Sequence, residues 1–383
     1  MKILMISIFA PHFFNWTEQL KDSGHEVYWI DVFDSNTYVE KIDFIDQIIG
    51  WKNHINYPGR YWIKKNLPGL YGAINRFNQR DLTGVVEEKI KQINPDIVQS
   101  FVLQSGAYPI LSVMKKYPEI KWVFSAWGND LFFRQQNEKD LKDIKNTLPE
   151  FDYMFADCNR DYIVARNHGF KGKFLGAFPG GGGYDLHNLE TLMKPLNLRK
   201  TILIKGYQGK LGRCNRILEA VYSIKDELAN YSIIIFGDNN AVSDYLNNKE
   251  MNLWPNLSQL GLVSQEEVLH LMGQSIIYIG NSISDGMPNT LLEAIVMGAF
   301  PIQSNPGGAT AEIVEHAKGG FLIENPEDPK EIRKWILKAV NNHHKIRQGI
   351  EYNLKNIRPE LERKIIRNRV LEQYSIIEEE LKN

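Results

Sequence analysis

Cysteine is scarce, neither sign of charge is in excess, and no long apolar run occurs. The two cysteines, Cys158 and Cys214, cannot build a disulfide framework, and their separation fits neither a zinc site nor a CxxC redox pair. Lys and Arg number 45 against 46 Asp and Glu, which predicts no general attraction to nucleic acid or to an anionic membrane. Any contact with such a partner has to be local.

No run reaches the roughly 18 apolar residues that a transmembrane helix needs. The apolar start, Ile3 to Ala10, is too short to span a bilayer, and no small-residue cleavage site follows it. This pattern indicates a first strand rather than a signal peptide. We therefore expect a cytoplasmic protein that is at most peripheral on the inner face of the cell membrane.

Short apolar runs alternate with helix-like or glycine-containing segments, as a parallel sheet covered by helices requires. The first thirty residues predict a strand, a loop APHFFN, a helix that stops at Gly24 and a second strand. Further runs follow in two clusters. They are PDIVQSFV, KWVFSAWG and DYMFADC in the first cluster, and TILIKG, YSIIIFGD, SIIYIGNS, AFPIQSN and GGFLIEN in the second.

A glycine run at residues 180–183 separates the two clusters, and the chain of 383 residues is long enough for two domains. We predict an N-terminal domain over 1–185, a linker over 186–199 and a C-terminal domain over 200–360. A C-terminal helix is expected over 361–383, with packing against the N-terminal domain as one arrangement. Two Rossmann-like, doubly wound α/β domains would face each other across a cleft, with the strand carboxyl ends towards it.

Two loops carry candidate chemistry. The segment KGYQGKLGR follows a strand, and its glycines, Lys205, Lys210 and Arg213 suit a phosphate at a helix N-terminus. It matches neither the P-loop nor the dinucleotide fingerprint, and a plain connection with solvated lysines is the alternative.

The second loop, SDGMPNTLLEA, places Asp285 before a helix and Glu293 one turn inside it, with Asn289 or Thr290 as N-cap. Sugar hydroxyls would satisfy both acids, since an unpaired buried charge is strongly disfavoured. The alternative is a surface acid followed by a glutamate that the helix dipole favours.

The second loop resembles the E-x7-E signature of retaining glycosyltransferases of the GT-B fold, particularly the GT4-like group. The neighbouring segments GLVSQEEVLHLMGQSIIYIGNS, SNPGGATAEIV and GGFLIENPEDPKEI are similar to that family in the same order. The resemblance implies that Glu293 binds a ribose, Asp285 the transferred sugar, and Lys205 or Lys210 with Arg213 the diphosphate. The implied donor site comprises Lys205, Gly206, Arg213, Leu262, Val263, Asp285, Gly286, Met287, Pro288, Asn289, Thr290 and Glu293.

The chain departs from the family pattern at three places. Asp285 replaces the usual Glu, Trp127 stands where many relatives have a histidine, and PHFFNW replaces a glycine-rich first loop. The resemblance implies that Asn129 and Asp130 face the acceptor or the donor sugar. His12 is a candidate substitute for the missing histidine.

Residues 59–80 carry basic and aromatic side chains and no acid, a pattern typical either of contact with an anionic lipid or of an ordinary solvated helix. The sequence contains no D-x-D motif, so neither a metal nor another cofactor is expected. The partners expected are a nucleotide-sugar donor and a glycan or lipid-linked acceptor, and no nucleic acid.

The function expected from the resemblance is transfer of a sugar, with retention, from a UDP-sugar, such as a UDP-N-acetylhexosamine, to a hydroxyl of a glycan. Bacterial surface polysaccharide synthesis is the setting it implies. A sugar-nucleotide epimerase, a sugar phosphorylase or a non-catalytic binder of the same fold remains the alternative. A nicotinamide-dependent oxidoreductase is disfavoured because the fingerprint is missing.

Overall fold

The computed structural model describes residues 1–55 and 57–382, and the side chain of Tyr61 lies outside that description. The chain forms two compact units. Unit 1 contains Met1–Ala156, Asp161–Ala177 and Val370–Asn383, and unit 2 contains Asp157–Arg160 and Phe178–Arg369.

Unit 1 is built on a seven-stranded sheet in which every strand pair is parallel. The strands are β1 (Lys2–Ser7), β2 (Glu26–Asp31), β3 (Asp46–Ile48), β4 (Ile97–Phe101), β5 (Lys121–Ala126), β6 (Tyr153–Ala156) and β7 (Lys173–Ala177). Their order is β3-β2-β1-β4-β5-β6-β7, so the direction of winding reverses between β1 and β4. The carboxyl ends flanking such a reversal form the crevice where open α/β sheets bind ligands.

The helices of unit 1 lie between these strands. They are α1 (Pro11–Glu18), α2 (Arg60–Asn66), α3 (Pro68–Asn78), α4 (Leu82–Ile93), α5 (Leu111–Met114), α6 (Glu138–Thr147) and α7 (Asn159–Asn167). The first two residues of α7 are counted in unit 2.

The loop expected at APHFFN is wrong, because α1 begins at Pro11 and ends at Glu18. Proline is well suited to the first helical position, where its fixed φ matches the helix and its missing N–H has no partner to lose. The phenylalanines of this helix are core residues, with the ring of Phe13 4.9 Å from that of Trp29 and 5.2 Å from that of Phe101. Aromatic packing therefore replaces the open first loop that the sequence predicts.

Unit 2 contains a six-stranded sheet, again parallel throughout. Its strands are β8 (Thr201–Lys205), β9 (Ser232–Phe236), β10 (Leu257–Gln259), β11 (Ser275–Gly280), β12 (Phe300–Ser304) and β13 (Phe321–Ile323). Their order, β10-β9-β8-β11-β12-β13, reverses between β8 and β11. Runs of isoleucine and other apolar residues fill the central strands because both faces of the sheet are covered by helices.

The helices of unit 2 pack on the two faces of that sheet. They are α8 (Leu186–Leu189), α9 (Cys214–Tyr222), α10 (Asn240–Asn248), α11 (Gln265–Gln274), α12 (Asn289–Val296), α13 (Pro329–Val340) and α14 (His343–Asn356). The last helix, α15 (Arg363–Lys382), begins in unit 2 and continues in unit 1. The prediction of two doubly wound α/β units is confirmed. No helix in the described part of the chain combines the length and apolar character needed to cross a membrane.

Unit 2 begins at Phe178, earlier than the predicted linker at 186–199. The glycine run belongs to unit 2 because it packs closely there. A Cβ on Gly183 would lie 2.8 Å from the carbonyl oxygen of Leu361, and the Tyr184 N–H donates to that same oxygen at 2.9 Å. Close packing together with a φ of +81° therefore explains the glycine at position 183.

A buried polar network joins α15 to the sheet of unit 1. The Tyr374 hydroxyl accepts a hydrogen bond from Trp16 Nε1 at 3.0 Å and donates one to Gln99 Oε1 at 2.6 Å. The Gln99 amide donates in turn to Ser125 Oγ at 2.9 Å. All four side chains are at most 2% exposed, so each depends on the others for its hydrogen bonds.

We expect Tyr374→Phe to lower the free energy of unfolding by about 1–3 kcal/mol, because it leaves the Trp16 N–H and the Gln99 carbonyl buried without a partner. Urea denaturation followed by tryptophan fluorescence measures the change. Tyr38→Phe is the control, since Tyr38 is 53% exposed. Equal midpoints for Tyr374→Phe and wild type would contradict the prediction.

Candidate functional site

The two sequence-predicted loops of unit 2 meet at the reversal of its sheet. One loop, residues 206–213, follows β8 and is called the glycine loop here. The other, residues 281–288, follows β11 and is called the acidic loop. Because β8 and β11 are hydrogen-bonded neighbours, both loops leave the same edge of the sheet side by side. A direct backbone bond joins the loops, from Ile283 N to the Leu211 carbonyl at 2.9 Å.

The glycine loop closes on itself and against the end of β9. A Cβ on Gly206 would lie 2.4 Å from Cβ of Asp238, and one on Gly212 would lie 2.2 Å from the Tyr207 carbonyl oxygen. Side chains at these two positions are therefore excluded by sterics. Lys205, the last residue of β8, is half-buried, whereas Lys210 is exposed at the loop tip. This burial difference favours Lys205 as the cation of the site.

Arg213 stands immediately before α9 and is already engaged. Its Nη1 donates to the carbonyl oxygens of Gly209 at 3.0 Å and Gly212 at 2.9 Å, and its Nε pairs with the carboxylate of Glu327. Hydrogen bonding from Arg213 lowers the pKa of Glu327. The sequence did not point to Glu327, which lies 114 positions further along the chain.

The short segment Asp157–Arg160 of unit 2 supports the acidic loop through hydrogen bonds. A Cβ on Gly286 would lie 2.2 Å from Asp157 Oδ2, so a side chain at that position would have to displace the Asp157 carboxylate. The Met287 N–H donates to the same Asp157 oxygen at 3.4 Å. Arg160 is 6% exposed, and its Nη1 donates to the carbonyl oxygens of Asp285 at 2.6 Å and Pro306 at 2.8 Å. These supports were missed by the sequence analysis.

Asp285 itself is half-buried, and its Oδ1 accepts a hydrogen bond from the Gly286 N–H at 3.0 Å. This local bond holds the carboxylate against the backbone of the acidic loop. Its charge also contributes to a raised pKa of Tyr207 in the glycine loop, after the larger effect of burial. The two loops therefore interact electrostatically as well as through the backbone.

The predicted N-cap at Asn289 or Thr290 is wrong, because Pro288 is the N-cap of α12 and no side chain caps the helix. Both polar residues bond elsewhere. The carbonyl oxygen of Asn289 accepts from the Tyr184 hydroxyl at 3.2 Å, and Thr290 Oγ1 accepts from the Tyr278 hydroxyl at 2.8 Å. The two tyrosines thereby fix the first turn of α12 below the acidic loop.

Glu293 lies one turn into α12 and is only 4% exposed. Gln265, the first residue of α11, donates from Nε2 to Glu293 Oε1 at 3.1 Å. Burial raises the pKa of the Glu293 carboxyl to about 7, while the hydrogen bond from Gln265 and the positive charge of Lys205 oppose that rise. The influence of Lys205 on this pKa shows that cation and carboxylate lie in one electrostatic environment.

Leu262 and Val263 follow β10, at the edge of the same sheet. Leu262 is 88% exposed, and Val263 packs against the core beside α12. Both lie just before α11, whose first residue is the partner of Glu293. The structure thus places them at the same carboxyl edge as the two loops, two strands from β8.

The predicted acceptor-side residues all lie in unit 1. His12 is exposed and sits in α1, not in a loop, and its ring is 6.0 Å from that of Trp127. Asp130 is 6% exposed, and its Oδ2 accepts from the Trp127 N–H at 3.1 Å. Its carboxylate therefore closes the turn after β5. The Oδ1 of Asn129 is buried without a hydrogen-bond partner among the described residues.

The pKa of Glu293 predicts a pH dependence of stability. An unfolded Glu has a pKa near 4.3, so between about pH 4.3 and pH 7 the folded chain holds a proton that the unfolded chain releases. Stability therefore falls as pH rises through that window, by about 3 kcal/mol in total. We expect Glu293→Gln, which stays neutral, to match wild type at pH 4 and to exceed its free energy of unfolding by that amount at pH 8.

Urea denaturation at pH 4, 5.5 and 8 measures this difference. The control is Glu119→Gln, since Glu119 is exposed and a surface substitution usually changes stability by less than about 0.5 kcal/mol. A difference between wild type and Glu293→Gln that does not vary with pH would contradict the assignment of a buried, titrating carboxyl.

Residues 199–356 match the family model described as glycosyl transferases group 1. No curated protein sequence matches the chain. Among solved structures, the chain is similar to HepE of Anabaena in complex with UDP and glucose, with 14% identity and a TM-score of 0.68 over 98% of this chain and 100% of that one. It is also similar to sucrose-phosphate synthase of Thermosynechococcus elongatus, with 14% identity and a TM-score of 0.72 over 98% and 99%.

A glycosyltransferase of Rickettsia africae is similar over 98% of both chains, with 17% identity and a TM-score of 0.66. At such identities the structural likeness shows the fold. The GT-B fold class expected from the sequence is therefore confirmed. Together with the family match, it supports a place in the GT-B glycosyltransferase superfamily.

Proposed function

We propose that this protein is a retaining glycosyltransferase that takes a sugar from a nucleoside-diphosphate donor bound in unit 2. The observation that carries the proposal is a buried acid, one turn into α12, whose electrostatic environment includes a half-buried cation at the end of β8. Glu293 has a pKa near 7 and Lys205 acts on it electrostatically. A ribose presents hydroxyl donors to the carboxylate, and a diphosphate presents its charge to the lysine, so one ligand satisfies both groups.

The acidic loop is proposed to hold the transferred sugar. Asp285 has a fixed carboxylate for sugar hydroxyls, and Gly286 brings backbone close to the ligand without a side chain. Leu262 and Val263 are proposed to flank the base, and Gly206 to border the diphosphate. The donor proposed is a UDP-sugar, such as a UDP-N-acetylhexosamine, which is in keeping with the UDP bound to HepE.

The proposed transfer needs no covalent intermediate on the protein. The bond between the anomeric carbon and the diphosphate oxygen breaks, and an acceptor hydroxyl forms the new bond on the same face while its proton passes to the departing phosphate. The leaving diphosphate gathers negative charge, which Lys205, Arg213 and the N–H groups at the start of α9 stabilise. We propose that this stabilisation suffices without a metal. For Arg213 it requires the Glu327 pair to yield to the diphosphate.

A glycan or lipid-linked glycan is the proposed acceptor, in bacterial surface polysaccharide synthesis in the cytoplasm. His12 and Asn129 are proposed to face it from unit 1, because both lie at the carboxyl edge of that sheet. Asp130 is proposed to act through the turn that presents Trp127. An epimerase or phosphorylase of the same fold is the second candidate, favoured by the same donor-site geometry.

The proposal is tested by the release of nucleoside diphosphate from UDP-, GDP- and ADP-sugars, with and without a glycan acceptor. A transferase releases UDP rapidly only with acceptor and forms a product of retained configuration, which nuclear magnetic resonance identifies. Conversion of the donor to a free epimer without acceptor would replace the proposal with the epimerase. No turnover and no binding of any sugar nucleotide would overturn it.

We expect Lys205→Ala and Arg213→Ala each to lower kcat by about 10²–10³-fold, the usual cost of removing a preorganised group that stabilises developing charge. Lys210→Ala is the matched control in the same loop, and we expect its kcat to stay within about twofold of wild type because Lys210 is exposed. Steady-state UDP release measures all three variants. An effect confined to Lys210→Ala would assign the diphosphate to that lysine instead.

We further propose that α2 and α3 attach the protein peripherally to an anionic membrane. Large apolar side chains are exposed there, including Trp62 at 62% and Phe77 at 88%. Lys64 and Lys65 are exposed beside them, and residues 59–80 contain no acid. Exposed aromatic and basic side chains on short helices suit the interface of an anionic bilayer.

We expect Lys64→Glu/Lys65→Glu to reduce co-sedimentation with vesicles of anionic lipid at least tenfold, because each basic residue near such a surface contributes about 1 kcal/mol. Lys145→Glu/Lys171→Glu makes the same change of net charge at exposed positions outside α2 and α3. Equal co-sedimentation of the two double variants would remove the membrane contact from the proposal.

A further inference from the structure

A cavity of about 720 Å³ opens at the edge of the unit 2 sheet opposite to the candidate donor site. Its lining residues include Lys200 and Tyr231, which immediately precede β8 and β9, and Ile276 at the start of β11. The rest of the wall comes from the segment before β8, from Glu227 and Asn230 between α9 and β9, and from the junction of α13 and α14. Since β8 has five residues, Lys200 and Lys205 are separated by about 16 Å along that strand.

The charges around this cavity are mostly positive. Arg199, Lys200 and Arg347 line it with His343, and Glu227 is the acid among the lining residues. The side chains of Lys200 and Arg347 form no ion pair or hydrogen bond with any described residue. Lys200 and Arg347 therefore lie at one concave surface without an ion-pair partner among the described residues.

The lining of the cavity includes a buried cation that forms no ion pair with any described residue. Arg199 is 5% exposed, and within the described part of the chain its guanidinium donates only to backbone carbonyl oxygens. Nε bonds Lys194 at 2.8 Å, and Nη1 bonds Met297 at 3.0 Å and Gly298 at 2.7 Å, with a longer bond to Ser275. Burial lowers the pKa of Arg199 to about 10, so the side chain remains charged at neutral pH.

The N-terminus of α14, which is the positive end of its helix dipole, lies at the same cavity. α14 has 14 residues, begins at His343 and contributes His343, Ile346 and Arg347 to the lining. The N-terminus of a helix attracts anions through its dipole and its unpaired N–H groups. The dipole therefore adds to the positive potential of the side chains.

We infer that this cavity binds a small molecule bearing a phosphate group, at a site separate from the donor site. Phosphate matches a guanidinium, an ammonium and a helix N-terminus together, since it offers several strong acceptor oxygens and at least one full charge. Apolar wall from Leu196, Tyr231 and Ile346 contacts the rest of such a molecule. The volume lies within the range of about 300–1,000 Å³ that is usual for small-molecule sites.

Titration calorimetry with inorganic pyrophosphate tests the site while saturating UDP occupies the donor site. We expect one pyrophosphate to bind the UDP-saturated wild type and to bind Lys200→Glu/Arg347→Glu at least tenfold more weakly. Lys249→Glu/Lys355→Glu is the matched control, because both lysines are exposed and the net charge changes equally. Its pyrophosphate affinity should equal that of wild type, and UDP affinity should be the same in all three proteins.

No pyrophosphate uptake by the UDP-saturated wild type, or equal affinities in the two double variants, would overturn the inference. Failure of UDP itself to bind would count against the proposed function alone. In that case pyrophosphate is titrated into Lys205→Ala, with and without the Lys200→Glu/Arg347→Glu changes. Loss of binding through Lys205→Ala alone would then overturn the second site.

Discussion

A carboxylate kept almost out of water, one turn into an apolar helix, is the constraint around which unit 2 is arranged. Ionised Glu293 is costly where it lies, and one amide from Gln265 offsets only part of that cost. The helix can hold it because the other residues of α12 from Leu291 to Val296 are apolar and buried in the core. The free chain therefore stores an electrostatic penalty that a hydroxyl-bearing ligand can relieve, which connects stability directly to binding.

The loops above that carboxylate are fixed by sterics and by distant residues. Gly206 lies against Asp238, and Gly286 lies against Asp157. A side chain on either glycine would displace the neighbouring aspartate. The Arg160 guanidinium donates a hydrogen bond to the carbonyl oxygen of Asp285 and so fixes that part of the loop. Such support keeps backbone groups aligned before a ligand arrives, which lowers the ordering cost of binding.

Much of the fold could be predicted from the sequence, because central parallel strands are buried on both faces and appear as continuous apolar runs. The strands β3, β7 and β10 were missed. Each lies at a sheet edge and is short or partly polar, as in the DQI of β3 and the LSQ of β10, so it lacks the apolar run on which prediction depends. The helix at Pro11 was missed because its aromatic residues gain their stability from packing on Trp29 and Phe101.

The candidate site likewise has features that the sequence predicts and others that depend on tertiary contacts. The spacing of Asp285 and Glu293 is local, and the sequence reveals it. The partners Gln265, Glu327 and Arg160 lie 28, 114 and 125 positions from Glu293, Arg213 and Asp285, and no local pattern connects them. Three-dimensional folding creates these contacts, so only the structure could find them.

The network around Tyr374 has a consequence for how the protein is made. Trp16 precedes its partner Tyr374 by 358 positions. The buried Trp16 N–H therefore has no Tyr374 hydroxyl to bind until the ribosome has synthesised almost the whole of the described chain. Unit 2, which apart from residues 157–160 is continuous from Phe178 to Arg369, has its residues together earlier. The unit that contains the first residues to be translated is accordingly the unit whose residues are complete last.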